Sequence, residues 1–96
     1  MNATLTETEI WNRTIQPDAG GLPAEAAQAL LELKLASADV ERVNELSAKA
    51  RVGALSAVEE RQLDNYLNVG RVLELLKAKA RLSLRRIMPS PETVFR

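Results

Sequence analysis

Residues 56–87, SAVEERQLDNYLNVGRVLELLKAKARLSLRRI, decide the fold because they predict one uninterrupted helix. The stretch opens with a capping box, in which Ser56 precedes Glu59 by three positions, and the next proline is Pro89. At ~1.5 Å per residue, such a helix would be roughly 45 Å long. A compact globule of 96 residues measures only ~30 Å across. We therefore expect part of this helix to lie against another protein.

The composition favours an all-α fold with an aliphatic core. Ala, Leu, Glu, Arg and Lys dominate, and the aromatic side chains are Trp11, Tyr66 and Phe95. The chain has no cysteine, which excludes disulfides and thiolate chemistry. It has no histidine either, which removes the commonest metal ligand and the commonest general base near neutral pH.

No arrangement of residues predicts catalysis. The paired carboxylates Glu41/Glu45 and Glu59/Glu60 fall on helix faces beside lysines and arginines, which is typical of solvated charge. Gly20-Gly21 is followed by no Lys-Ser/Thr pair, so it is not a phosphate-binding loop. We therefore predict that the protein is not an enzyme, with no catalytic, metal-binding or cofactor-binding residues and no cofactor.

The charges are segregated along the chain although they cancel overall. Residues 1–70 carry six Lys/Arg against eleven Asp/Glu, and residues 71–96 carry seven against two. This division predicts a basic end that contacts something acidic. The alternative is that cations collect near a helix C-terminus, where the helix dipole favours them.

Neither a targeting segment nor a membrane segment is visible. The N-terminus is acidic and lacks the apolar core of a signal peptide, and no apolar run approaches the ~18 residues of a membrane span. We therefore expect a cytoplasmic protein without membrane contact.

The expected organisation is an N-terminal arm over residues 1–22, a helical domain over 23–88 and a flexible tail over 89–96. In the arm, Thr6 and Glu9 predict the start of a short helix. Its tryptophan, Trp11, either folds back on the helices or anchors the arm in a pocket of a partner.

Within the helical domain, Pro23 predicts the start of a helix over residues 24–35. Ser37 or Asp39 is expected to cap the next helix, which Gly53 would stop after about Val52. The short link after it predicts an antiparallel helical hairpin of 39–52 against 56–87, with the 24–35 helix packed across it. Gly70 is expected to leave room for a close helix crossing.

Several segments together resemble a family of small, uncharacterised, all-helical bacterial proteins. The shared pattern is K-A-x-x-G-x-L…E…Y-x-x-V-G-x-x-L-x-L-L-x-x-K-A-R. Its first half corresponds to LSAKAR at 46–51, Gly53, Leu55, Glu59 and Glu60. Its second half corresponds to YLNVG at 66–70, LLKAKAR at 75–81 and Leu84. Trp11-Asn12-Arg13, Ile15 and Pro17 also fit some members. Proteins of this family are often encoded beside small His-Asn-His endonuclease-like proteins, which implies an antitoxin-like or immunity-like binding role. Arg71 stands where many members have histidine.

We therefore expect a noncatalytic protein-binding module with a toxin-like or nuclease-like partner. An alternative is a small nucleic-acid-associated or transcriptional accessory factor acting through the basic C-terminal helix, and another is a structural homodimer. The residues expected to bind the partner combine apolar anchors with a basic face: Trp11, Arg71, Leu75, Ala78, Lys79, Leu82, Arg81, Arg85 and Arg86.

Overall fold

The computed structural model describes residues 5–87. Over that span the chain forms four α-helices and no strand: α1 (Glu7–Ile15), α2 (Ala24–Leu31), α3 (Ser37–Arg51) and α4 (Ala57–Ile87). The predicted all-α class with a long C-terminal helix is therefore confirmed. The predicted tail over residues 89–96 lies outside the described residues.

Helix α4 begins as the sequence predicts. The backbone N–H of Ser56 donates to Glu59 Oε1 over 3.0 Å, and the N–H of Glu59 donates to Ser56 Oγ over 3.1 Å. The 31 residues of α4 correspond to a length of ~46 Å. The helix passes through Gly70 unbroken, but a methyl group at Gly70 would meet nothing within 4 Å. Among residues 5–87, the close helix crossing expected at Gly70 is therefore not found.

The chain divides into two compact units, each described by itself. The first unit contains α1, α2 and the part of α4 from Val72 onward. Its buried side chains are small or aliphatic: Ile15, Ala27, Ala80 and Ser83. Small side chains let helix backbones approach closely, and none of the described buried side chains of this unit is aromatic.

Helix α1 carries the predicted capping box. The N–H of Glu9 donates to Thr6 Oγ1 over 3.1 Å, and the N–H of Thr6 donates to Glu9 Oε1 over 2.8 Å. The helix ends at Gln16, which adopts the left-handed conformation with φ 55° and donates its N–H to the carbonyl of Asn12.

Helix α2 is shorter than the predicted range of 24–35, because it ends at Leu31. The N–H groups of Glu32 and Leu33 donate to carbonyls three positions earlier, which tightens the last turn instead of extending the helix. Leu33 is 45% exposed, so burial does not hold it in a helical position. The apolar pattern therefore overestimated the helix by four residues.

The second unit spans Lys34–Arg71 and contains α3 and the start of α4. Helix α3 begins after Ala36 without a side-chain cap, so the prediction that Ser37 or Asp39 caps it is wrong. The carboxylate of Asp39 instead accepts a hydrogen bond of 2.6 Å from the hydroxyl of Tyr66. That bond is the first cause of a raised pKa of the Tyr66 hydroxyl.

The end of α3 follows the sequence prediction. Gly53 adopts φ 69° directly after Val52, the C-terminal cap of α3, and this left-handed conformation suits glycine. Lys49, near the end of α3, pairs with Glu59, near the start of α4, whereas Asp39, near the start of α3, pairs with Tyr66, further along α4. The two helices therefore run in opposite directions. The predicted antiparallel pairing of these two helices is therefore observed within this unit.

The core of the second unit is small. Leu46 is its fully buried apolar side chain among the described residues. Beside it, Arg42 donates to Gln62 Oε1 from two nitrogens, at 3.0 and 2.9 Å. Hydrogen bonds between α3 and α4 therefore add to a core in which Leu46 is the fully buried apolar side chain among the described residues.

None of the four helices in residues 5–87 combines the length and apolar character needed to cross a bilayer.

Candidate functional site

Most of the predicted partner-binding residues lie on the C-terminal part of α4, in the first unit. Their exposure differs in a regular way. The apolar members and one cation are half-buried, namely Leu75, Ala78, Lys79 and Leu82. The three arginines Arg81, Arg85 and Arg86 are exposed. This helix segment therefore carries half-buried apolar side chains and exposed arginines, and their role in partner binding stays a prediction.

Two of the predicted cations already bind the chain itself. Lys79 Nζ donates to the carbonyl of Gln16 over 3.3 Å, and Arg86 Nη1 donates to the carbonyl of Ala19 over 2.7 Å. Both acceptors belong to residues 16–22, which we call the strap because they join α1 to α2 and cross α4. The strap therefore occupies part of the predicted surface.

Ser83 is a further strap contact that sequence reasoning missed. Its hydroxyl accepts from the N–H of Leu22 over 3.0 Å and donates to the carbonyl of Lys79 over 2.8 Å. The side chain is 1% exposed, so both hydrogen bonds are shielded from water. A signal was present, because Ser83 follows the buried Ala80 by three positions and so shares its helix face.

Gly20 brings the strap close to α4. A methyl group there would lie 3.3 Å from Arg86 Nη1 and 3.6 Å from Leu82 Cγ. Gly20 also has φ 63°, a conformation that L side chains rarely adopt. Both observations explain why glycine occupies this position.

An open cavity of about 510 Å³ lies beside the strap. It is lined by Ala19, Gly21, Leu22, Pro23, Ser83, Arg86 and Ile87. Among the described lining residues, Arg86 is the one ionisable side chain. These residues offer apolar contact and a positive charge, and none of them could act as a general base near neutral pH.

The other predicted residues make local contacts. Arg81 forms a 3.4 Å ion pair with Glu74, and both side chains are about half exposed or more, so the pair contributes only ~0–1 kcal/mol. Trp11 is half-buried, and its indole N–H donates to Glu7 Oε2 over 3.1 Å. Arg71 belongs to the second unit, where it donates to Asn68 Oδ1 over 2.8 Å.

Charge is balanced inside the first unit. Residues 5–33 carry one arginine against five carboxylates, whereas residues 72–87 carry five Lys/Arg against one carboxylate. The basic part of α4 therefore belongs to the same compact unit as an acidic segment of its own chain. This arrangement lowers the positive charge that α4 presents to other molecules.

The second unit exposes apolar side chains on both helices. Val40 on α3 is 44% exposed, and Val58 and Val69 on α4 are 65% and 51% exposed. Val58 and Val69 are eleven positions apart, which places them on the same helix face. Val69 also lines a cavity of about 240 Å³ with Gln62, Asn65 and Tyr66.

No group of three or more His, Cys, Asp or Glu side chains within the described part of the chain could hold a metal ion.

Comparison of the chain with protein-family models, with curated proteins and with solved structures found no match. The resemblance to the bacterial family described above therefore stays a prediction.

Proposed function

We propose that the protein is a noncatalytic protein-binding module. One observation carries this proposal: nine large apolar side chains among the described residues are 44–77% exposed. Scattered apolar residues are common on protein surfaces, but here Val58 and Val69 share a helix face, and Val69 also lines a cavity. Apolar surface of this kind gains free energy when a partner removes it from water.

The proposed partner contact on α4 uses Leu75 and Leu82 as apolar anchors. Arg81 and Arg85 are exposed beside them and orient the partner electrostatically, while Trp11 adds an aromatic contact from α1. The partner is a toxin or nuclease of the bacterial cytoplasm, which the protein neutralises as an antitoxin or immunity protein does. The family resemblance supports this particular partner class.

Replacing both anchors tests the proposed surface. We expect Leu75→Asp/Leu82→Asp to abolish capture of the partner in a pull-down from the native cell, because charge in an apolar contact remains unpaired. The control is Ala48→Asp, since Ala48 is exposed on α3 in the second unit and does not belong to the nine large apolar side chains. Circular dichroism at 222 nm should show the same helicity in all three proteins.

A second variant separates binding from folding, because Leu82 also faces Gly20. Arg81→Glu/Arg85→Glu changes two exposed side chains and should weaken capture by at least ~10-fold while circular dichroism shows an unchanged helical content. Unchanged capture by both double variants would reject this surface.

The nucleic-acid alternative is supported by the exposure of Arg81 and Arg85 near the end of α4. A nucleic-acid accessory factor would be retained on DNA or RNA with a steep dependence on salt. Absence of retention at low salt would reject this alternative. The homodimer alternative predicts twice the monomer mass of 10.6 kDa in light scattering.

A further inference from the structure

We infer that residues 5–19 form a hinged internal cover over the basic part of α4. The cover is acidic and carries an apolar anchor. It occupies the surface on α4 that a partner segment of the same chemistry would bind. The inference rests on the proposed function, because it adds regulation to the same surface.

Among the described residues, two hydrogen bonds attach the cover to α4. The cover's carbonyls at Gln16 and Ala19 accept hydrogen bonds from Lys79 and Arg86, and Ile15 beside them is only 8% exposed. The two cations lose little when the arm leaves, since water can replace backbone carbonyls as acceptors for exposed donors. Burial of one isoleucine contributes ~1.5–3 kcal/mol, an amount that a competing ligand can supply.

A hinge follows directly after the cover. Gly20 and Gly21 have φ values of 63° and 89°, and a methyl group at Gly21 would meet nothing within 4 Å. Two consecutive glycines can absorb a large change in backbone direction. The next residue, Leu22, is held by Ser83, so the chain beyond the hinge has its own attachment to α4.

The charges identify the kind of ligand that replaces the cover. Residues 5–19 carry one arginine against Glu7, Glu9 and Asp18, and residues 72–87 carry a net charge of +4. When the cover leaves, Lys79 and Arg86 lose their hydrogen bonds to it and are free to bind a ligand beside the half-buried Leu82. That combination suits an acidic segment with an aliphatic anchor, which is the chemistry of the arm itself.

The test measures how tightly a separate peptide with the sequence of the cover binds to α4 once the protein's own cover has been released. The probe is a fluorescein-labelled peptide of residues 5–22, titrated with the full-length protein and followed by fluorescence anisotropy. Ile15→Ser is the releasing variant because it removes the buried anchor and leaves α4 unchanged. Its matched control is Ile10→Ser in the same helix, where the side chain is 49% exposed.

We expect Ile15→Ser to bind the peptide at least ~10-fold more tightly than the unmodified protein does, because a closed cover weakens apparent affinity by the fraction of open molecules. Ile10→Ser should bind like the unmodified protein. Ala19→Pro is a second releasing variant, since it removes the N–H that Ala19 donates to Gln16 in the strap turn. Circular dichroism confirms that each variant remains helical.

No increase in peptide affinity in either releasing variant would overturn the inference, as would an equal increase in Ile10→Ser. The proposed function fails separately, because its test is partner capture by the Leu75→Asp/Leu82→Asp protein. Tighter peptide binding by a releasing variant supports the inferred cover, whether or not the Leu75→Asp/Leu82→Asp protein captures the partner.

Discussion

Glu59 joins the two helices of the second unit through three different contacts. Its carboxylate accepts from Lys49 and from the N–H of Ser56, and it lies 3.7 Å from Arg42 Nη2. The side chain is only 16% exposed, so these contacts are partly shielded from solvent. Hydrogen bonds from Lys49 and from the Ser56 backbone lower the pKa of Glu59 from 4.5 to about 2.

This pKa sets an expected dependence of stability on pH. Because folding lowers the pKa of Glu59, its charged form stabilises the folded state fully above pH 4.5, and this contribution is lost as the pH falls toward 2. We expect Glu59→Gln to reduce the free energy of unfolding at pH 7 and to flatten its decline below pH 4.5. Urea unfolding followed by circular dichroism measures both effects.

The control for this experiment is Glu60→Gln, which removes the same charge at an exposed neighbouring position. An equal flattening in both variants would contradict a specific role of Glu59.

Gly20 and Gly21 allow backbone strain to be separated from close packing. Both have positive φ, but only Gly20 has atoms of α4 within 4 Å of an added methyl group. We expect Gly21→Ala to lower the free energy of unfolding by ~1 kcal/mol, the usual cost of a left-handed alanine. Gly20→Ala should cost more, because Arg86 and Leu82 must also move. Thermal or urea unfolding compares the two, and equal losses would contradict close strap packing.

At the scale of secondary structure, α4 retains a glycine for which the described contacts give no packing reason. Gly70 lies in the middle of the helix, and an added methyl group there meets open space. The unfavourable helix propensity of glycine is tolerated because 31 residues contribute to this helix.

We expect Gly70→Ala to raise the free energy of unfolding by ~0.5–1 kcal/mol, because alanine has the higher helix propensity and meets no obstacle. Gly53→Ala is the opposite control, since φ 69° at Gly53 strains any L side chain. Both changes are measured by urea unfolding. A loss of stability in Gly70→Ala would show a close contact at this position.

At the scale of the whole molecule, the net charge is zero because positive and negative side chains cancel within each unit. The second unit carries six Lys/Arg and six Asp/Glu over Lys34–Arg71. In the first unit, the acidic residues 5–33 share one compact body with the basic residues 72–87. Attraction between these segments acts over distances of about one Debye length.

Salt should therefore weaken the first unit. We expect the thermal midpoint to fall when NaCl is raised from ~10 mM to ~300 mM, because the Debye length shortens from ~30 Å to less than ~8 Å. The same titration with Arg81→Glu/Arg85→Glu should show a smaller fall, since that variant removes part of the positive segment. A midpoint that rises with salt in both proteins would contradict stabilisation by the segregated charges.

The accuracy of the sequence predictions depended on the range of the interactions involved. The capping boxes at Thr6 and Ser56 were predicted correctly because each needs only a partner three positions away. The cap predicted at Asp39 was wrong because Tyr66, 27 positions later, takes that carboxylate. On α4, the predicted partner-binding surface stays a prediction, and the sequence did not predict the strap contacts to Lys79 and Arg86.

The sequence by itself determined where the helices α1 and α4 begin, where α3 stops, and that charge divides between the N-terminal and C-terminal segments. Those features follow from hydrogen bonds and backbone conformations within about four residues, and from composition. The tertiary structure alone decided that Ser83 holds Leu22 across 61 positions and that Gly20 lies against Leu82. Such pairings depend on which face of α4 meets the strap, and helical periodicity leaves several faces equally possible.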